Sequence, residues 1–246
     1  MTDMLETAMG RRLAHDRREG RAPSVVFLGG LRSDRNGTKA QHLDAWAAAR
    51  GQAFLRFDYS GHGDSSGRFD EGCIGDWAED AVAAIDALTD GPVILVGSSM
   101  GGWISFLVQR RIDRVAGMVG IAAAPDFTED SMWAGFDDAQ RRDLAEHGRV
   151  ELPSEYGEPM VVTRRLIEDG RDNLVLRGPV PQFGPVRLLQ GTADVDVPPS
   201  VALRLLDHLD GDVRLTLVKG ADHRFSDPAC LRLIEGAVED VLGALA

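Results

Sequence analysis

The sequence predicts an α/β protein, a mostly parallel sheet flanked by helices, and three features of the chain carry that expectation. Short apolar runs alternate with longer amphipathic stretches, the rhythm of strands joined by crossover helices. The chain has 246 residues of which 43% are hydrophobic, enough for one large domain with a sizeable core. One apolar run passes directly into a Gly/Ser turn that opens a helix, the arrangement of a strand–turn–helix unit. No repeat, low-complexity tract or linker divides the chain, so residues 1–246 read as a single domain.

The elements follow in order. Ser24 to Leu28 is the first clear buried strand, stopped by Gly29-Gly30, and Thr38 to Arg50 is a helix ended by Gly51. Ala53 to Phe57 is a strand that gives way to the turn-rich Asp58-Tyr59-Ser60-Gly61-His62-Gly63-Asp64. A helix over about 76–88 carries Trp77, Val82, Ile85 and Leu88 at helical spacing. Val93 to Val96 is a short apolar strand, Gly102 to Arg111 a helix, and Val115 to Ala122 a strand. From about Asp126 to Gly184 the rhythm breaks into charged, mostly helical sequence interrupted by Pro153, Pro159, Pro179 and Pro181. A structureless loop of that length is improbable in a compact domain, so the segment is expected to be a small helical cap after the sixth strand. The alternation then resumes with Val186 to Leu189, a helix near 200–209, a strand over Val213 to Val218 and a last helix over about 228–245.

The formal net charge of −12 argues against nucleic acid as a partner, because phosphate binding needs a basic face. No stretch approaches the ~18 apolar residues of a membrane span, and Met1 to Gly20 lacks an apolar signal segment. With only Cys73 and Cys230, far apart, neither a disulfide framework nor a zinc site is expected. The expected compartment is the cytoplasm.

Gly97-Ser98-Ser99-Met100-Gly101 fits G-x-S-x-G in the strand-to-helix setting that a nucleophile elbow requires. Ser99 is the central residue and the candidate nucleophile. A serine hydroxyl needs a base to take its proton during attack. Of six histidines, His223 follows the strand 213–218 and precedes the last helix, where the order serine, acid, histidine puts the base. His15, His42, His147 and His208 read as structural or solvated, and His62 as a surface turn near the mouth of the site, with a substrate contact as the alternative. The acid is expected after the strand between them, in Gly191-Thr192-Ala193-Asp194-Val195-Asp196-Val197-Pro198. Asp194 is preferred, with Asp196 read as capping the next helix and Asp126 as a minor alternative acid. The oxyanion needs two N–H donors, assigned to Met100 and, in the glycine-led loop 29–34, Leu31. Arg32 and Lys39 are the nearby cations for a carboxylate or phosphate on the substrate, against a competing reading as solvated charge. Trp133 and Tyr156, with Met132, Phe136 and Met160, are candidates for an acyl pocket or simply for packing of the cap.

The blocks G-G-L-R-S-D-R-N-G-T-K-A (29–40), R-F-D-Y-S-G-H-G-D-S (56–65), G-S-S-M-G-G-W (97–103), L-L-Q-G-T-A-D-V-D-V-P (188–198) and D-H-R (222–224) resemble a branch of the α/β-hydrolases. That branch holds acyl-protein thioesterases also described as acyl-glucuronide esterases, together with bacterial relatives. The resemblance runs over nearly the whole chain from about Leu13, least of all in the cap. It implies an α/β-hydrolase fold and serine hydrolysis of acyl thioesters or esters, with the triad on Ser99, Asp194 and His223. Gly29 departs from the proline often found before the glycine of the oxyanion loop. A mitochondrial address is not expected, and a bacterial-type relative fits better.

The expected reaction is therefore a two-step acyl transfer to water through an acyl-enzyme, needing no cofactor or metal, on a small-molecule or acyl-protein ester or thioester. A peptidase or acyltransferase using the same triad is the alternative, and a non-catalytic binding protein of the same fold is disfavoured because no triad member is missing.

Overall fold

Eight strands join one sheet in the order β1 (Asp3–Glu6), β2 (Arg12–Arg18), β4 (Gln52–Phe57), β3 (Arg21–Leu28), β5 (Val93–Ser98), β6 (Val115–Ile121), β9 (Val186–Gly191) and β10 (Val213–Val218). This is a computed structural model, and it describes residues 2–153, 159–180 and 184–245. From β4 to β10 every pairing is parallel, whereas β2 runs antiparallel to both β1 and β4. The α/β expectation and the mostly parallel sheet hold.

The central strands are buried on both faces, and their side chains divide by the two-residue period of a strand. Val25 and Phe27 of β3, Ile94 and Val96 of β5, and Val119 and Ile121 of β6 pack beneath α1 (Thr38–Arg50) and α7 (Pro228–Ala244). Val26 and Leu28, Val93 and Leu95, and Met118 face the opposite layer, made by α2 (Ile74–Leu88), α3 (Met100–Gln109) and α6 (Pro199–His208). Each fully buried aliphatic side chain contributes about 1.5–3 kcal/mol, so a one-residue slip of a central strand would exchange both layers at prohibitive cost. The two cysteines, both buried and free, lie in different layers.

Two expectations are corrected. Residues 3–18 form an antiparallel hairpin, although no strand is expected there. Only Leu13, Ala14 and His15 of β2 are buried, so the charged flanks mask the strand signal. Arg11, in the turn of this hairpin, bonds Asp76 Oδ1 at 2.8 Å and Asp80 Oδ1 at 2.9 Å and so fastens it to α2. The cap, in turn, is not purely helical. A π-helical turn (Thr128–Trp133) and α4 (Asp138–His147) lead into a two-stranded antiparallel sheet, β7 (Arg149–Leu152) with β8 (Met160–Thr163), before α5 (Arg164–Asp172). Each of these strands has four residues with one buried side chain, Val150 or Val162, too little for an alternating pattern to be read.

The chain leaves β3 for β4 on one side and then crosses to β5 on the other. The crevice at such a switch point, at the carboxyl ends of the strands, is where α/β sheets bind ligands.

Candidate active site

Ser99 sits in that crevice, between the end of β5 and the first residue of α3. Its backbone is strained, with φ 53° and ψ −117°. The turn closes only because its neighbours lack side chains: a Cβ on Gly97 would lie 2.4 Å from Gly101 O, and one on Gly101 would lie 2.0 Å from Leu28 O. The bend lifts Ser99 out of the sheet and leaves it half-buried while Ser98 is buried. Met100 opens α3, so its N–H has no acceptor within the helix and adds to the positive end of the helix dipole.

Three loops from different strands meet at this point. His223 Nε2 lies 3.1 Å from Ser99 Oγ, and His223 Nδ1 lies 2.9 Å from Asp194 Oδ2. A carboxylate only accepts, so Nδ1 carries the proton and Nε2 is left to accept from the serine hydroxyl. Asp194 is 5% exposed, and its acceptor sites are filled. Oδ2 receives His223 and Gln190 Nε2 (2.9 Å), and Oδ1 receives the N–H groups of Asp196 (3.0 Å) and Val197 (2.8 Å). Burial would raise the Asp194 pKa, but the His223 hydrogen bond and the converging N–H groups outweigh it and hold the carboxyl below its ordinary range. Asp194, Asp196 and His223 hold donor atoms within 4.8 Å of one another, the cluster among the described residues that best fits a cation. The four N–H donors on Asp194 already occupy lone pairs that a metal would need.

The loop after β3 faces the serine. A Cβ on Gly30 would lie 3.3 Å from Ser99 Cβ, and Ser33 N–H donates to Gly30 O at 3.1 Å to close the turn. Leu31, half-buried against the core, follows Gly30, and Arg32 has φ 59°. The loop is anchored by an ionic cluster that sequence reasoning missed. Arg35, 6% exposed, donates its N–H and its guanidinium to the buried carboxylate of Asp58, each at 2.5 Å, and also reaches Asp64 at 2.9 Å. Gly63 is obligatory there, since a Cβ would fall 2.2 Å from Asp58 Oδ2. Thus the blocks 29–40 and 56–65 are two sides of one clamp. Their charged residues are far apart in sequence, and only the hydrophilic turn around Asp58 hinted at it.

The remaining candidates separate. Arg32 lines a cleft of about 370 Å³ with His62, Arg68, Phe69 and Val161. His62 is not a surface turn residue. It is 4% exposed, wedged edge-on against Tyr59, Phe69 and Trp77, and burial pulls its pKa below the ordinary imidazole value. Trp133 packs on Phe136 between the guanidinium groups of Arg141 and Arg171, in a groove that no triad residue lines. Its contacts are those of cap packing. Tyr156 lies outside the described residues. Asp126, the alternative acid, instead accepts the N–H groups of Val175 (2.8 Å) and Leu176 (2.9 Å) and holds the returning end of the cap. Asp196 does not cap α6, which starts at Pro198–Pro199 with no side-chain cap. Lys39 donates to the carbonyl of Arg224 at 2.5 Å. A larger cleft, about 640 Å³, is lined by charged residues of α4 and α5 and by none of the triad.

Residues 25–239 match the model of the alpha/beta hydrolase family, and the chain belongs to that family. It is a hydrolase by fold and kinship. Among its relatives, the mitochondrial palmitoyl-protein thioesterase ABHD10 of Bos taurus and that of Homo sapiens are each 34% identical over 237 residues, 95% of this chain and 77% of theirs. A crystal structure of a provisionally assigned hydrolase from Agrobacterium vitis S4 is 44% identical, covers 98% of both chains and superposes with a TM-score of 0.93. The mouse alpha/beta hydrolase domain-containing protein 10 is 31% identical over the full length of both chains, with a TM-score of 0.91. At 18% identity and a TM-score of 0.81, ferulate-bound Est1E from Butyrivibrio proteoclasticus shares the fold.

Proposed function

We propose that this protein is a serine hydrolase of acyl thioesters and esters, working through Ser99, His223 and Asp194. The observation that carries the reading is the unbroken chain of hydrogen bonds from Asp194 through both ring nitrogens of His223 to Ser99 Oγ. In the first step Ser99 Oγ attacks the acyl carbon as its proton passes to His223 Nε2. The N–H groups of Met100 and Leu31 receive the oxyanion. The C–S or C–O bond breaks, the thiol or alcohol leaves with the proton from His223, and the acyl group stays on Ser99. Water, deprotonated by His223, then releases the acid and restores the serine. Asp194 keeps Nδ1 protonated and balances the imidazolium formed in each half-reaction. The thioester preference is favoured by the relatives named as palmitoyl-protein thioesterases.

The test pairs a substrate panel with one variant. Acyl-cysteine and acyl-CoA thioesters and p-nitrophenyl esters of graded chain length should be turned over, with thioesters preferred. Ser99→Ala should lower kcat roughly 10⁴- to 10⁶-fold with the fold intact. Undiminished turnover by that variant would remove the assignment, and cleavage confined to aminoacyl amides would make the protein a peptidase.

A further inference from the structure

Lys39 is placed against ordinary preference. It lies in the first turn of α1, where the helix dipole disfavours a cation, and no acidic residue accompanies it in that turn. Its side chain is half-buried. Burial lowers its pKa to about 8, with Asp222 opposing that shift and Arg224 adding to it. A solvated lysine on the same turn would avoid both costs, so the contact it makes inward is the feature to explain.

That contact is with the loop that carries the base. Lys39 Nζ donates to the carbonyl of Arg224, the residue directly after His223, at 2.5 Å. The same carbonyl accepts the Ser226 hydroxyl at 2.8 Å. On the other side of the histidine, Ala193 N–H donates to Ala221 O at 3.0 Å, which joins the base loop to the loop of Asp194. Between these fixed points the backbone turns sharply. Asp222 Oδ1 accepts Phe225 N–H at 3.1 Å, and the fully buried Phe225 has φ 49°. His223 therefore hangs between two anchors, one from the acid loop and one from α1. The α1 anchor continues directly from the loop that brings Gly30 to the serine.

We propose that Lys39 is a positioning residue of the hydrolase: its ammonium pins the backbone behind His223 and so keeps Nε2 within hydrogen-bond reach of Ser99 Oγ. It touches neither substrate nor reacting atoms in this role, which rests on the serine-hydrolase reading above. Displacing the ring by an ångström is enough to slow the chemical step.

The experiment compares wild type, Lys39→Met, Lys39→Arg and Ser226→Ala. It measures the second-order rate of fluorophosphonate labelling at Ser99, kcat and KM on a p-nitrophenyl ester, and thermal stability. Methionine keeps the aliphatic bulk and removes the donor, and Ser226→Ala removes the second donor to the same carbonyl. In Lys39→Met, labelling and kcat should each fall about tenfold, with KM within about twofold. Lys39→Arg should recover part of the loss, and Ser226→Ala should fall about two- to threefold if the carbonyl is the point of control. Labelling of Lys39→Met at the wild-type rate overturns the proposal, as does a change confined to KM. Should Lys39→Met not fold, Lys39→Ala that labels at the wild-type rate overturns it equally. Wild-type protein that never labels removes the hydrolase reading itself, a different failure from labelling that is indifferent to residue 39.

Discussion

Asp194 shows how a single side chain links the site to stability. Every acceptor position on it is used, two of them by backbone N–H groups of its own loop and one by the buried Gln190. Its folded pKa lies below the unfolded value of about 3.9. For an acid with a depressed pKa, the stabilisation is complete above the unfolded value and is lost as pH falls through the folded one. Asp194→Asn places an NH2 group where N–H donors already converge, so it should destabilise the fold by about 2 kcal/mol at pH 7. The difference from wild type, followed by urea denaturation, should shrink below about pH 4. A gap that persists unchanged at pH 3 would show that the charge of Asp194 contributes nothing. The same variant should lose turnover severely at neutral pH, because it no longer fixes the tautomer of His223.

At the scale of elements, legibility follows from burial. Strands β3, β5 and β6 stand out as short hydrophobic runs, and β9, buried along its whole length, does so despite Arg187 and Gln190. The hairpin β1–β2 and the cap strand β7 are largely exposed and charged, and β8 is only four residues long with one buried side chain, so they vanish into their surroundings. Ser99, Asp194 and His223 could be picked out as candidates because each follows a recognisable strand, in the order serine, acid, histidine. The supports of the site were not, since Arg35 on Asp58 and Lys39 on Arg224 O are contacts between distant segments with no local pattern. Asp126 belongs with these. Read as a spare acid, it is instead the clip that receives two backbone N–H groups from the end of the cap, and burial raises its pKa although those donors and Arg177 oppose the shift. Asp126→Ala leaves both donors buried without an acceptor and should destabilise the protein by about 2–4 kcal/mol. Hydrogen exchange should quicken first at Val175 and Leu176; protection unchanged there would mean that the clip is not what orders the segment.

For the whole molecule, the sheet is continuous but its fastening is uneven. The parallel centre is held by two apolar layers, whereas the N-terminal edge depends on β2 pairing with β4 and on Arg11 reaching across to α2. Asp80, 1% exposed, also accepts the N–H and the hydroxyl of Ser60 in the turn after β4. Removing Arg11 leaves that carboxylate without its cation, and Arg11→Ala should cost about 2–3 kcal/mol. The loss should appear as a lower urea midpoint with the rate of Ser99 labelling retained in the folded protein. Equal midpoints for the two proteins would count against Arg11 as the fastener. The Asp126 clip has a wider meaning for how such a protein changes over time. Because the segment begins beside Asp126 and returns to it at Val175, the two junctions lie side by side at the end of β6. The stretch between them is thus an interchangeable cassette: insertion, shortening or wholesale replacement there alters the cap without shifting the register of a single central strand.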